Sequence, residues 1–193
     1  MTASTTFDPR PQLAASLDQV ERQIDSMKPD DLGRPTPCAE YDVRTLLAHL
    51  IAVLRKLTAV RAGDNFAEVT DPADDLDDDG RSAFRHARAE LERAWTPDAA
   101  LEDKYTLPYG TMTGRELLDA YTHEFTVHAW DLCRALGDGD DLDPELAVAA
   151  LDWYTLNVPA DDRSEGGPFG PAAAVSDDAD PYTRLAAFVG RST

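Results

Sequence analysis

The chain has 193 residues, 42% of them hydrophobic, and a formal net charge of −19 with a pI near 4.3. Its length suits one domain spanning residues 1–193 that buries about 70% of its unfolded surface, and the apolar fraction excludes global disorder. The excess of negative charge excludes nucleic acid and anionic membranes as partners, because both carry charge of the same sign.

Met1–Pro9 lacks the basic and apolar regions of a signal peptide. No apolar run approaches the ~20 residues needed to span a bilayer. Cys38 and Cys133 form neither a CxxC pair nor a disulfide framework, so a cytoplasmic protein with reduced thiols is expected.

The first helix is predicted to start at Asp8-Pro9, a cap followed by proline at the first helical position. Leu13, Leu17, Val20, Ile24 and Met27 then recur at alternating steps of four and three, a bundle-facing seam. The stretch from Asp31 to Glu40, with Pro35 and Pro37, reads as a connection. Asp42 can cap a second helix with a stripe running from Val43 through Leu46, Leu50, Val53 and Leu57 to Val60. His49 lies at the edge of that stripe.

Asp71, Asp74, Asp75, Asp77, Asp78 and Asp79 form an acidic run that reads as a solvated loop. A third helix is predicted from Arg81 to Trp95, with Phe84, Ala87, Leu91 and Trp95 inward. Lys104–Thr113 alternates in the manner of a short extended segment or hairpin around Pro108 and Gly110. Thr113-Gly114-Arg115-Glu116 is a capping box that opens a further helix, closed by Gly137. Asp143-Pro144 and Asp180-Pro181 repeat the cap-plus-proline start, giving a helix to about Asn157 and a short last one. The Gly-, Pro- and Asp-rich link from Val158 to Asp180 is read as a loop.

At ~100° per residue, His128 lies ~40° and Tyr121 ~60° from Glu124, on the side that carries Leu117, Phe125 and Leu132. His123 and Trp130 project to roughly the opposite side, and His86 projects to solvent. A carboxylate and an imidazole four residues apart on one apolar face can grip one ion, and His49 from a facing helix would complete a three-ligand site. The pair can equally satisfy itself by hydrogen bonding, as i,i+4 charged pairs on helices do.

Other signals are weaker. Asp75–Gly80 matches the opening of a calcium-binding EF-hand loop, but its twelfth position is His86 rather than a bidentate Glu. Cys38 precedes a helix N-terminus that would lower its pKa, yet no base is placed near it by the sequence, and core packing suits it better. Cys133 reads as structural, and no GxGxxG, P-loop or GxSxG motif is present.

Thr36–Leu50, which contains Thr36-Pro37-Cys38 and Leu46-Leu47-Ala48-His49-Leu50, and Val127–Gly137, which contains His128-Ala129-Trp130-Asp131-Leu132, resemble segments of the mycothiol-dependent maleylpyruvate isomerase-like proteins of the DinB-like superfamily. The ending, from Phe169-Gly170-Pro171 to Arg191, resembles a short actinobacterial subgroup. The resemblance implies an all-α fold: a DinB-like four-helix bundle with additional short C-terminal helices and a small hairpin. It implies metal ligation by His49, Glu124 and His128. Zinc suits two imidazoles and a carboxylate, and nickel, iron and manganese are compatible.

The implied activity is that of a mycothiol-dependent transferase or isomerase acting on a small electrophile, with mycothiol as co-substrate and a homodimer as one compatible assembly. Tyr121 can line the pocket or serve as an amphipathic core residue. The sequence names no acid–base residue. The founding isomerase has an additional C-terminal domain for which this chain is too short. Two other classes stay open: a non-catalytic metal- or small-molecule-binding stress or regulatory module, and an acidic partner for a basic protein. The scatter of acids among arginines disfavours the acidic partner.

Overall fold

The seam at the N-terminus becomes α1, Arg10–Ser26, with Leu13, Leu17, Val20 and Ile24 all buried. Each such side chain contributes roughly 1.5–3 kcal/mol when fully removed from water. Asp8 Oδ1 accepts the Arg10 N–H at 3.0 Å, and the Pro9 carbonyl accepts that of Leu13 at 2.9 Å, so Asp8-Pro9 starts the helix as expected. The computed structural model describes residues 7–38, 41–70, 76, 80–137, 141–158, 163, 169–176 and 178–192. Most of the acidic run, with its EF-hand-like opening, and Gly166–Pro168 lie outside the described residues.

Helix α2, Val43–Ala62, is capped by Asp42, whose Oδ1 accepts the Thr45 N–H at 2.8 Å. It ends at Gly63, which adopts φ +90°, a conformation that costs glycine nothing. Helix α3 covers Arg81–Ala94. A single turn, α4 (Asp98–Glu102), was not legible in the sequence, because five residues are too few to show a helical period.

The alternation at 104–113 is a hairpin. Strand β1 (Lys104–Leu107) pairs antiparallel with β2 (Gly110–Thr113), Lys104 opposite Thr113 and Leu107 opposite Gly110. Helix α5, Gly114–Leu136, opens with the reciprocal capping box, in which Thr113 Oγ1 accepts the Glu116 N–H and Glu116 Oε2 accepts that of Thr113. Helices α6 (Pro144–Asn157) and α7 (Pro181–Phe188) begin at the Asp143 and Asp180 caps.

Helix α1 packs on α5 and α3, and α2 packs on the same two, so the bundle closes in the cyclic order α1, α3, α2, α5. Arg85 and Arg88 on α3 reach Glu21, Asp25 and Asp18 on α1, which ties the outer faces of these helices together. Helices α6 and α7 cover the remaining side of α5 and form a second apolar cluster that includes Val127, Trp130, Ala147, Ala150, Tyr154 and Leu185.

This cover overturns one expectation. His123 and Trp130, projected outward, are buried at 3% and 6% exposure. The projection assumed one solvent side, whereas α5 has neighbours on both. His86 is exposed as expected. Among the described residues no helix is long and apolar enough to cross a membrane.

Candidate metal centre

His49 reaches the site from the middle of α2, and Glu124 and His128 reach it from successive turns of α5. Each helix has its start set by a local side-chain cap, which fixes the phase at which these side chains leave the axis. One donor atom from each of the three residues lies within 4.8 Å of the others. His49 Nε2 is 3.0 Å from Glu124 Oε1, and the two imidazole rings meet edge-on with centroids 5.2 Å apart. His128 is buried, while His49 and Glu124 stay partly open to solvent.

Behind His128 stands a layer that the sequence analysis did not identify. His128 Nδ1 lies 2.9 Å from Oδ2 of Asp131, whose side chain is fully buried. Arg191, beyond the end of α7, donates from Nε to Asp131 Oδ1 at 3.1 Å and from a terminal nitrogen to Oδ2 at 3.2 Å. With Nδ1–H given to a carboxylate, the imidazole presents Nε2 as its free lone pair, the tautomer that a metal ligand needs. The His128–Asp131 spacing of three was visible in the sequence. Arg191 comes from 60 residues away and left no local signal.

The electrostatics suit an ionised centre. Burial pushes the Glu124 carboxyl up, but its hydrogen bond to His49 and the electrostatic influence of the His49, His128 and Lys56 side chains together hold it below the usual carboxylate range. Tyr121, on the same face of α5, has its hydroxyl 2.8 Å from that of Tyr109 on the hairpin turn. Burial first, then Glu124 and the Tyr109 contact, hold the Tyr121 phenol far above its ordinary range, so it stays protonated. Burial also works against the Arg191 charge, yet Asp131 holds that guanidinium above its ordinary value.

The other candidates fall elsewhere. His123 faces α6, its ring 5.3 Å from that of Trp153 and its Nε2 3.5 Å from Asp119. Its Nδ1 is buried without a hydrogen-bond partner among the described residues. Cys38 is half-buried in the connection before α2, Cys133 is buried on α5, and neither is in a disulfide.

The donor set fits a divalent ion. Bonds of about 2.1 Å place donors no more than about 4.2 Å apart around one centre, so the three atoms need only small side-chain adjustments to share it. Two neutral imidazoles and one carboxylate would leave such an ion with net positive charge and room for further ligands.

Two uncharacterised proteins from two strains of Mycobacterium tuberculosis are each 29% identical to the chain over 186 residues, which is 96% of this chain and 99% of theirs. The crystal structure of the mycothiol-dependent maleylpyruvate isomerase superposes with a TM-score of 0.60 at 19% identity, covering 79% of this chain and 70% of that one. A histidine-to-alanine mutant of that isomerase matches equally well. These superpositions show the DinB-like bundle in common. Residues 13–133 match the family model of the mycothiol maleylpyruvate isomerase N-terminal domain, and the chain belongs to that family.

Proposed function

We propose that His49, Glu124 and His128 hold a divalent metal ion, zinc being the best suited, and that the protein is a cytoplasmic, single-domain thiol transferase or isomerase. Its thiol co-substrate is mycothiol and its second substrate a small electrophile. The observation that carries this reading is the gathering of two imidazoles and a carboxylate within 4.8 Å, with His128 Nδ1 already held by Asp131. A bound divalent ion would supply the positive charge that makes a thiol acidic at neutral pH. The chain's own part is to hold the His128 ring through Asp131 and Arg191 and to keep Glu124 ionised. Family membership supports mycothiol as the thiol.

A second reading, a non-catalytic binding module, is favoured by one contact: His49 Nε2 and Glu124 Oε1 are 3.0 Å apart and can satisfy each other by hydrogen bonding. Elemental analysis of purified protein tests the metal site, and thiol-dependent turnover separates an enzyme from a module that binds without catalysis. Near-stoichiometric metal in the wild type, lost in His49→Ala and His128→Ala, is the expected result and leads to assays of mycothiol-dependent turnover with electrophiles. No metal after incubation with zinc or nickel overturns the metal site and makes the three residues a self-satisfied cluster.

A further inference from the structure

The chain turns sharply after α7. Gly170 and Gly190 cross there backbone to backbone: a Cβ on Gly190 would lie 2.5 Å from Gly170 Cα, and Gly190 adopts φ +81°. Only glycine meets both demands. Around the crossing, the Ala173 N–H donates to the Ala187 carbonyl and the Arg191 N–H to that of Ala186, each at 2.9 Å. Arg163 donates to the carbonyls of Gly170 and Phe188, with its guanidinium 4.5 Å from the Phe188 ring centroid. These contacts fix the direction in which the Arg191 side chain leaves the backbone.

Arg191 is 9% exposed and reaches the fully buried Asp131. Among the described residues this is the one ion pair that joins 169–192 to the rest of the molecule. Tyr182, Leu185 and Val189 pack in the second apolar cluster, and Gln19 Nε2 donates to the Tyr182 hydroxyl at 2.8 Å. With the segment docked, Asp131 has one orientation, and the His128 ring is held with Nε2 as its lone pair. With the segment undocked, Asp131 loses the guanidinium that aims it, and the ring loses its fixed acceptor. The docked form therefore has the better metal donor, and outer partners of this kind change metal affinity about 10- to 100-fold. Linkage is reciprocal: a ligand that binds the docked form more tightly favours docking by the same factor.

We propose that 169–192 is a clip that sets the affinity of the metal centre, and that metal at the centre in turn holds the clip docked. The inference rests on the metal reading given above and adds the regulation of that site. Residues 171–174 of the clip are exposed, so occupancy at His49, Glu124 and His128 is reported at the molecular surface. Anything that grips or cuts this stretch lowers metal affinity.

Hydrogen exchange of the full-length protein, followed by mass spectrometry with and without zinc, is the test. Zinc is expected to slow exchange in α7 and at Arg191 about 10- to 100-fold while leaving α3 within about twofold. In His49→Ala, which keeps the clip but lacks one ligand, zinc should leave α7 unchanged. Gly190→Ala keeps the ligands, Asp131 and Arg191, and is expected to lower zinc affinity about tenfold or more in competition with a chromophoric chelator. Arg191→Met should lose as much and Arg191→Lys should recover part, a grading that lost packing alone would not give. The wild-type exchange measurement needs no variant, so it decides the matter even where a variant fails to fold. Zinc bound by the wild type without slower exchange in α7 overturns the clip and leaves the metal reading. So does zinc affinity within about threefold of wild type in both Gly190→Ala and Arg191→Met. Absence of zinc from the wild type overturns both.

Discussion

His128 shows how one side chain is oriented by residues the ligand set does not include. Its ring is aimed by Asp131, which is held in turn by Arg191, and both of those partners are buried. Replacing Asp131 with Asn leaves the Arg191 guanidinium buried without its carboxylate. Chemical denaturation is expected to show a loss of about 3–5 kcal/mol. On the proposed function, the same change lowers zinc affinity about 10- to 100-fold, measured by competition with a chromophoric chelator, because the imidazole loses its orienting acceptor. Glu124 and His128 were legible in the sequence because two residues four apart on a helix share a face whatever surrounds them. His123 was misplaced for the complementary reason: its burial depends on α6, and nothing within α5 reports that neighbour.

Helix starts were the most legible elements, since a cap is a contact over two or three residues. Asp42→Ala removes the bond to the Thr45 N–H and is expected to cost about 1 kcal/mol by denaturation, with α2 fraying at the turn that leads toward His49. Gly114 is different. A Cβ there would lie 2.1 Å from the Ala100 carbonyl oxygen and 2.7 Å from the Trp95 ring, so α5 starts in direct contact with α4. Gly114→Ala is expected to destabilise by about 1–3 kcal/mol in a thermal melt, although alanine is the better helix former. The sequence showed a capping box at this point but not the one-turn helix that crosses it.

At the scale of the whole molecule, acidity governs behaviour in solution. Several carboxyls are held below their ordinary values: Asp8 chiefly by its hydrogen bond with Arg10, Glu116 by the Thr113 N–H, and Asp180 by bonds to Thr183 and Tyr182 that outweigh its burial. A group with a depressed folded pKa contributes stability above its unfolded pKa and loses it as pH falls through the folded value. Thermal melts should therefore be level from neutrality down to about pH 5 and fall steadily below about pH 4. A sedimentation assay should find lowest solubility near pH 4.3, where net charge vanishes. The sequence by itself determined the longer helices with their caps and the face that Glu124 and His128 share, because periodicity and capping act within a few residues. Only the tertiary structure decided that α5 is covered on both sides, that Arg191 locks Asp131, and that Tyr109 meets Tyr121 beside the site. Those contacts join segments whose packing depends on the shape of the closed bundle, and short-range sequence patterns carry no record of it.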